Sequence, residues 1–179
     1  AYHGVFREPF VACWTMRQAC RIRPYRQRDL PQLRVIAGRA FAPVFSGLRS
    51  TVGEPLASLA YGSAESDQIA HLNRLCASVV ARDMLVVECA QRVVGFGHLK
   101  LDHTRKVGEI GLNAIDPPHQ GKGYGRKLHA AMLDRMRAAG MCVATVATST
   151  DHAQAPALRA FARAGFTSQV PQVYLYQPL

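Results

Sequence analysis

An α/β fold, in which strands and amphipathic helices alternate around one central strand, is predicted by three observations. Glu109 to Ile115 is a half-apolar run of strand length. Alternation along it puts Ile110, Leu112 and Ala114 on one face and Glu109, Gly111 and Asn113 on the other. Pro117 and Pro118 stop that strand, and a glycine-rich turn follows, Gln120-Gly121-Lys122-Gly123-Tyr124-Gly125. From there Leu128, Met132, Met136 and Ala139 recur at helical spacing up to Gly140, which stands where a helix C-terminal glycine is expected.

The rest of the chain supplies the flanking elements. Residues 1–15 show no clear period and read as an extension, whereas Met16 opens a segment that reads like a natural start; residues 16–179 are expected to form a single domain. Arg21 to Tyr25 is a candidate first strand with Ile22 inward. Asp29 can cap the helix after it, whose apolar stripe is Leu30, Leu33, Ile36, Ala37 and Ala40. Phe41 to Ser66 reads as loop-rich, punctuated by Pro43, Gly47, Gly53, Pro55 and Gly62. Asp67 to Val80 is a second amphipathic helix, marked by Ile69, Leu72, Leu75 and Val79. Met84 to Cys89 and Arg92 to Leu101 form a hairpin about a tight turn at Ala90-Gln91, with Gly95 and Gly97 marking a close approach or a bulge. Lys100 to Lys106 is a polar turn. After Gly140, the β-branched run Cys142 to Thr148 reads as a buried strand, and Thr148 to Asp151 can cap a helix lined by Leu158, Phe161 and Ala164 and ended by Gly165-Phe166. Val170 to Tyr176 is a last strand, with Pro171 pointing to an edge.

Composition narrows the class. The chain is 49% hydrophobic and 19% charged, as ordinary globular chains are, and its net charge of +10 favours an anionic ligand. On charge alone nucleic acid, anionic lipid or an acidic protein fits as well. No aromatic-interleaved basic motif or zinc-finger spacing is present, so no nucleic-acid partner is expected. The five cysteines show no C-x-x-C spacing, which argues for a reducing compartment and against a disulfide framework or a zinc site. The seven histidines form no H-x-x-x-H cluster, so no metal is expected; His119 and His129 read as surface residues. No apolar run approaches the length of about 18 residues that a membrane span needs. Arg7, Glu8 and Pro9 interrupt the N-terminus, which does not read as a signal peptide, and a cytoplasmic location is expected.

A strand that feeds glycines into a helix N-terminus makes an anion site. The first helical turn leaves backbone N–H groups without partners, the macrodipole adds partial positive charge, and glycine lets a phosphate come close. Lys122 and Arg126 bring full charges to the same place. The turn lacks the GxxxxGK[ST] of a nucleotide loop and does not fit G-x-G-x-x-G. It does match Q/R-x-x-G-x-G/A after a strand ending Ile115-Asp116-Pro117, and so resembles the acyl-CoA pyrophosphate loop of the GNAT superfamily of N-acetyltransferases. Gln154 to Phe166 resembles the second signature of that family, N-x-x-A-x-x-L-Y-x-x-x-G-F, through Ala157, Gly165 and Phe166. Two departures matter: Gln154 stands where the family's CoA-contacting Asn usually is, and Phe161 replaces a Tyr that often serves as general acid. The resemblance covers nearly all of the chain from Met16 on.

The resemblance implies the GNAT fold, a mixed sheet of about six to seven strands splayed after the fourth and flanked by about four helices. It implies acetyl-CoA as cosubstrate, with pantetheine amides on the backbone of Asn113, Ala114 and Ile115. The pyrophosphate would lie on Gln120, Gly121, Lys122, Gly123, Tyr124 and Gly125, with Arg126, Gln154 and Phe161 as further contacts. Glu109, six residues before Ile115, matches the base glutamate of histone-type members, with Glu88 and His98 in reserve. The acid toward the thiolate is Tyr174, Tyr176 or solvent. Tyr124 packs on the pantetheine arm or simply in the core. The stretch Phe41 to Ser66 matches the neighbourhood that shapes the acceptor pocket, which makes Phe41, Phe45 and Arg49 candidate substrate contacts. The expected partner is a small-molecule or peptide amine, and the family allows a homodimer. A CoA-binding protein without transfer activity is the second reading, which Phe161 and Gln154 favour; a basic nucleic-acid module is the third.

Overall fold

The computed structural model describes residues 20–177. The boundary expected between an extension and the domain therefore lies outside the described residues. Five strands form one sheet in the order of the chain: β1 (Cys20–Pro24), β2 (Met84–Cys89), β3 (Arg92–Asp102), β4 (Val107–Ile115) and β5 (Val143–Val146). Neighbours pair antiparallel except β4 and β5, which run parallel. Helices α1 (Leu30–Val52) and α3 (Ala64–Ala77) cover one face with the short α2 (Leu56–Tyr61) beside them; α4 (Tyr124–Ala138) and α5 (Ala155–Arg163) cover the other. All six residues of β2 are buried because helices lie on both sides of it. Met84 and Val86 enter the α1/α3 core, and Leu85, Val87 and Cys89 enter the α4/α5 core.

The hairpin forms as expected. Ala90 (φ 49°) and Gln91 (φ 63°) both take left-handed conformations, the pattern of a two-residue turn whose twist matches its strands. The expected close approach at Gly95 is also present: a Cβ there would stand 2.4 Å from Ile115 Cδ1. Gly140 and Gly165 end α4 and α5 at φ 77° and 99°, each with the next residue's N–H bonded back five positions, to Met136 O and Phe161 O.

Several expectations are corrected. The stretch from Phe41 to Ser66 is mostly helical, for α1 runs through Pro43 to Val52, and α2 and the start of α3 follow. Its glycines and prolines are not loop punctuation alone: at Gly47 a Cβ would stand 3.1 Å from Asp151 Oδ1, so the residue lets another segment pack closely on α1. Helix α3 ends at Ala77, and Val79 is 84% exposed in the turn that follows. Asp29 does not cap α1 with its side chain. It is buried and accepts from the Arg23 guanidinium at 2.7 and 3.0 Å and from Arg26 N–H at 2.8 Å. Strand β5 is half-exposed, and Val170 to Tyr176 forms no strand; Val170 and Leu175 are over 90% exposed. Pro171 offers no N–H to a ladder, and no core gathers these side chains. Among the described residues the sheet accordingly has five strands and not six or seven.

A disulfide joins Cys20 and Cys89, which face each other across β1 and β2 with Cα atoms 4.3 Å apart. This one disulfide runs against the expectation of no disulfide framework and removes the support that the cysteine pattern lent to a reducing compartment. The partners are 69 residues apart in sequence, and only the strand register brings them together. Cys76 is a buried free thiol and Cys142 an exposed one.

Candidate active site

The site is built where β4 gives way to α4. Asp116, at the end of the strand, is buried; its N–H bonds to Val94 O at 2.9 Å and its O accepts from His119 N–H at 2.7 Å. Arg39 from α1 and His119 stand 3.6 and 3.5 Å from its carboxylate. A 3-10 turn over Pro117–His119 leads to Gln120, whose amide nitrogen donates to Ile115 O at 3.0 Å, while Lys122 Nζ donates to Pro118 O at 3.0 Å. Gly121 (φ 73°) and Gly123 (φ 81°) are left-handed, and a Cβ on either would meet nothing within 4 Å. Backbone conformation, not internal crowding, therefore demands glycine there, and the space above both is open. Lys127 N–H is the first of α4 to bond back, to Gly123 O at 3.2 Å. The N–H groups of Tyr124, Gly125 and Arg126 are thus left for an external acceptor, at the positive end of the helix.

Beside the loop, β4 has an open edge. Its pairing with β5 covers only Val107–Ile110 against Val143–Val146, and among the described residues no strand pairs with Gly111 to Ile115 on that side. The expected splay after the fourth strand is therefore present, with Asn113, Ala114 and Ile115 on the open edge. A bulge lies at its start: Gly97 pairs with Asn113 and Leu99 with Ile110, so Gly111 and Leu112 stand opposite His98 alone. The bulge corrects the expected alternation. Ile110 and Ile115 belong to the α4/α5 core, whereas Leu112 and Ala114 belong to the α1/α3 core.

On the α4 side, Asn113 Nδ2 donates to Gly111 O at 2.9 Å, and its Oδ1 lies 3.3 Å from His129 Nε2. His129 is 4% exposed, which corrects its reading as a surface residue; burial lowers its pKa and keeps the ring neutral. It stacks on Phe161 with centroids 4.6 Å apart, and Phe161 meets Phe166 edge-on at 5.8 Å. Phe161 is thus a core residue at this junction. Gln154 stands half-buried at the start of α5, after a turn that Asp151 caps by accepting from Ala153 N–H at 2.8 Å. Tyr124 packs against the α4/α5 core.

On the α1/α3 side, Glu109 is half-buried, 3.4 Å from Lys100 Nζ and opposite Thr145 in the part of the sheet that β5 still closes. His98 is 6% exposed, with Nε2 buried and without a hydrogen-bond partner among the described residues. Burial lowers its pKa, and the charges of Asp83 and Glu109 partly offset that. Glu88, a reserve base, is committed elsewhere: it accepts from Arg21 Nε at 2.9 Å and Arg23 Nε at 2.6 Å, and the guanidiniums hold its pKa below the usual carboxylate range. Phe41 and Phe45 lie 6.3 Å apart on α1, Phe41 against the core. Arg49 is tied to Tyr61 O at 3.0 Å and to Glu65 at 3.0 Å. Tyr174 is 73% exposed in the C-terminal segment, near Tyr61, whose hydroxyl meets that of Tyr176. A concavity of about 550 Å³ between β1, the β2–β3 turn and the start of α1 is lined by Arg21, Arg23, Arg28 and Arg92 with Glu88 and Asp29, and offers no free base. Among the described residues no cluster of three or more metal-ligating side chains occurs, and no helix is long and apolar enough to cross a membrane.

Comparison with known proteins gives a consistent result. The model of the acetyltransferase (GNAT) family matches residues 54–166. Among curated proteins, the mycothiol acetyltransferase of Sanguibacter keddieii is 35% identical over 103 residues, which cover 55% of this chain and 32% of that protein. The mycothiol acetyltransferase of Actinosynnema mirum is 32% identical over 84 residues, 47% of this chain and 27% of that protein. The chain thus spans about a third or less of the curated relatives it matches. Among solved structures, Ard1 from Thermoplasma volcanium superposes with a TM-score of 0.62 at 21% identity, covering 85% of each chain. PaiA N-acetyltransferase from Thermoplasma acidophilum, solved with coenzyme A, gives 0.61 at 16% identity over 86% of this chain and 93% of that one. A GNAT family acetyltransferase from Brucella melitensis, solved with acetyl-CoA, gives 0.57 at 20% over 87% and 93%. These structures share the fold.

Proposed function

The chain belongs to the acetyltransferase (GNAT) family, and from that premise we propose that it transfers an acetyl group from acetyl-CoA to a primary amine by direct attack in a ternary complex. One observation carries the reading: the N–H groups of Tyr124, Gly125 and Arg126, without partners among the described residues, adjoin the stretch of β4 from Gly111 to Ile115 that no described strand covers. A diphosphate suits the first, and an amide-bearing arm suits the second, where side chains of Asn113 and Gln120 hold Gly111 O and Ile115 O in place of a neighbouring strand. Lys122 and Arg126 add charge beside the loop.

Acetyl-CoA supplies an acyl carbon activated as a thioester. The protein's part is to hold that carbon against the amine, which supplies several kcal/mol of the barrier, and to take a proton. Two groups on the α1/α3 side are suited to it, the carboxylate of Glu109 and the imidazole of His98. Phe41 and Phe45 offer apolar contact for the acceptor. Arg49, held by Glu65 and Tyr61 O, borders the acceptor side, and Tyr174 faces solvent. Thiolate release needs no dedicated acid, since a thiol ionises near pH 8.5. Acetyl-CoA and a broad panel of amines, read by mass spectrometry, test the proposal. Acetylated amine with matching CoA release is expected; binding of acetyl-CoA without transfer to any amine would leave only a CoA-binding protein.

A further inference from the structure

We propose that His98, rather than Glu109, is the immediate acceptor of the amine's proton, and that Glu109 acts by stabilising the imidazolium. This rests on the acetyl-transfer reading and assigns a role within it.

A buried imidazole nitrogen without a hydrogen bond carries a desolvation cost that an apolar side chain of similar shape would not. His98 is 6% exposed, lies between buried Met84 on β2 and the bulge of β4, and leaves Nε2 without a partner among the described residues. Packing alone does not account for a histidine there. Its position is also particular: it is the single β3 residue opposite the two bulged residues of β4, where the edge toward β5 opens. A side chain at 111 would stand 3.3 Å from His98 Nδ1, so the glycine leaves the ring directly against the bulge.

The charges around it favour this role. Glu109 from β4 and Asp83 from the turn before β2 raise the affinity of His98 for a proton, and His71 from α3 lowers it. Lys100 next to Glu109 and Arg135 at 3.2 Å from Asp83 temper both carboxylates. Imidazole is the stronger base by about two pH units in water. Burial makes His98 neutral, and therefore able to accept, at neutral pH. In the step itself the amine's N–H proton passes to the His98 imidazole from the side of the bulge as the carbon–nitrogen bond forms, and the carbon–sulfur bond breaks with the electron pair leaving on sulfur. The imidazolium then returns its proton to solvent.

The test uses the whole chain with acetyl-CoA, n-butylamine as probe acceptor and water as a second acceptor, following thiol release from pH 5 to 9 together with acetyl-CoA affinity and thermal midpoint. For His98→Gln and His98→Asn we expect turnover to fall ~100-fold while acetyl-CoA affinity stays within about twofold. The acid-side limb of the pH profile should disappear in both. Glu109→Gln should keep that limb and move it to lower pH, and the ring resonance of His98 should show the same displacement between wild type and this variant. Either His98 variant turning over normally with the limb in place would overturn the proposal. So would wild-type protein that binds acetyl-CoA but releases thiol to neither acceptor, a result that leaves the loop assignment standing. Failure of the wild type to bind acetyl-CoA would remove both.

Discussion

The two faces of β4 are assembled in different ways. On the α4 side the loop and its supports come from one continuous stretch, namely the strand, the turn at 116–123 and the helix that packs back with Leu128, Met132 and Met136, with Phe161 of α5 closing the junction. On the α1/α3 side the groups near the bulge come from four places, namely Glu109 on β4, His98 on β3, Asp83 in the turn before β2 and His71 on α3. The first face is specified by local signals, and on the proposed reading it binds through the main chain. The second depends on tertiary register, and on the same reading it works through side chains. It follows that the first should tolerate most side-chain changes but not a change of backbone, and the second the reverse.

The largest effect should come from Gly123→Val, which puts a β-branched residue at φ 81° in the mouth of α4. Acetyl-CoA affinity measured by calorimetry should fall by at least ~100-fold, with circular dichroism showing the fold intact. Retained affinity would mean that the loop is not the site. Next is Glu109→Gln, where turnover with the best acceptor should drop roughly tenfold, the change that ~1.4 kcal/mol at the transition state produces, with affinity unchanged. A loss confined to affinity would put Glu109 on the wrong face. The smallest effect is on stability. His98 and His129 have pKa values lowered by burial, so the unfolded chain binds more protons than the folded one as pH falls through the ordinary histidine range. Their contribution is complete above about pH 6.5 and is lost below it. The thermal midpoint should therefore be lower at pH 5.5 than at 7.5, and replacing both with Gln should flatten that dependence.

Most of the α4 face could be read from the sequence, and the reason is local. Alternation, two prolines, spaced glycines and a 3.6-residue stripe each act within a few residues, and β4, the loop and α4 follow from them. His129 could have been placed as well: it stands three residues before Met132 and seven before Met136, on the same buried stripe. The bulge at Gly111 could not, because an extra residue in a ladder is a property of the pair of strands. With it went the assignment of faces, since one inserted residue turns Leu112 and Ala114 to the other side. The engagement of Glu88 by Arg21 and Arg23, and the Cys20–Cys89 bond, likewise depend on β1 meeting β2 across more than sixty intervening residues. The helical character of 41–63 was hidden by Pro43 and the glycines, which local propensity counts as breakers and tertiary packing overrides.

The central claim is that main-chain amides at the mouth of α4 and along the free edge of β4 hold acetyl-CoA. Backbone amide shifts in a ¹⁵N spectrum, recorded as acetyl-CoA is added, report on it most directly. The account predicts that the largest changes fall on Gly121 to Arg126 and on Gly111 to Ile115, with β1 and β2 nearly unmoved. Perturbations centred on the arginine-lined concavity by β1, or none at all, would contradict it.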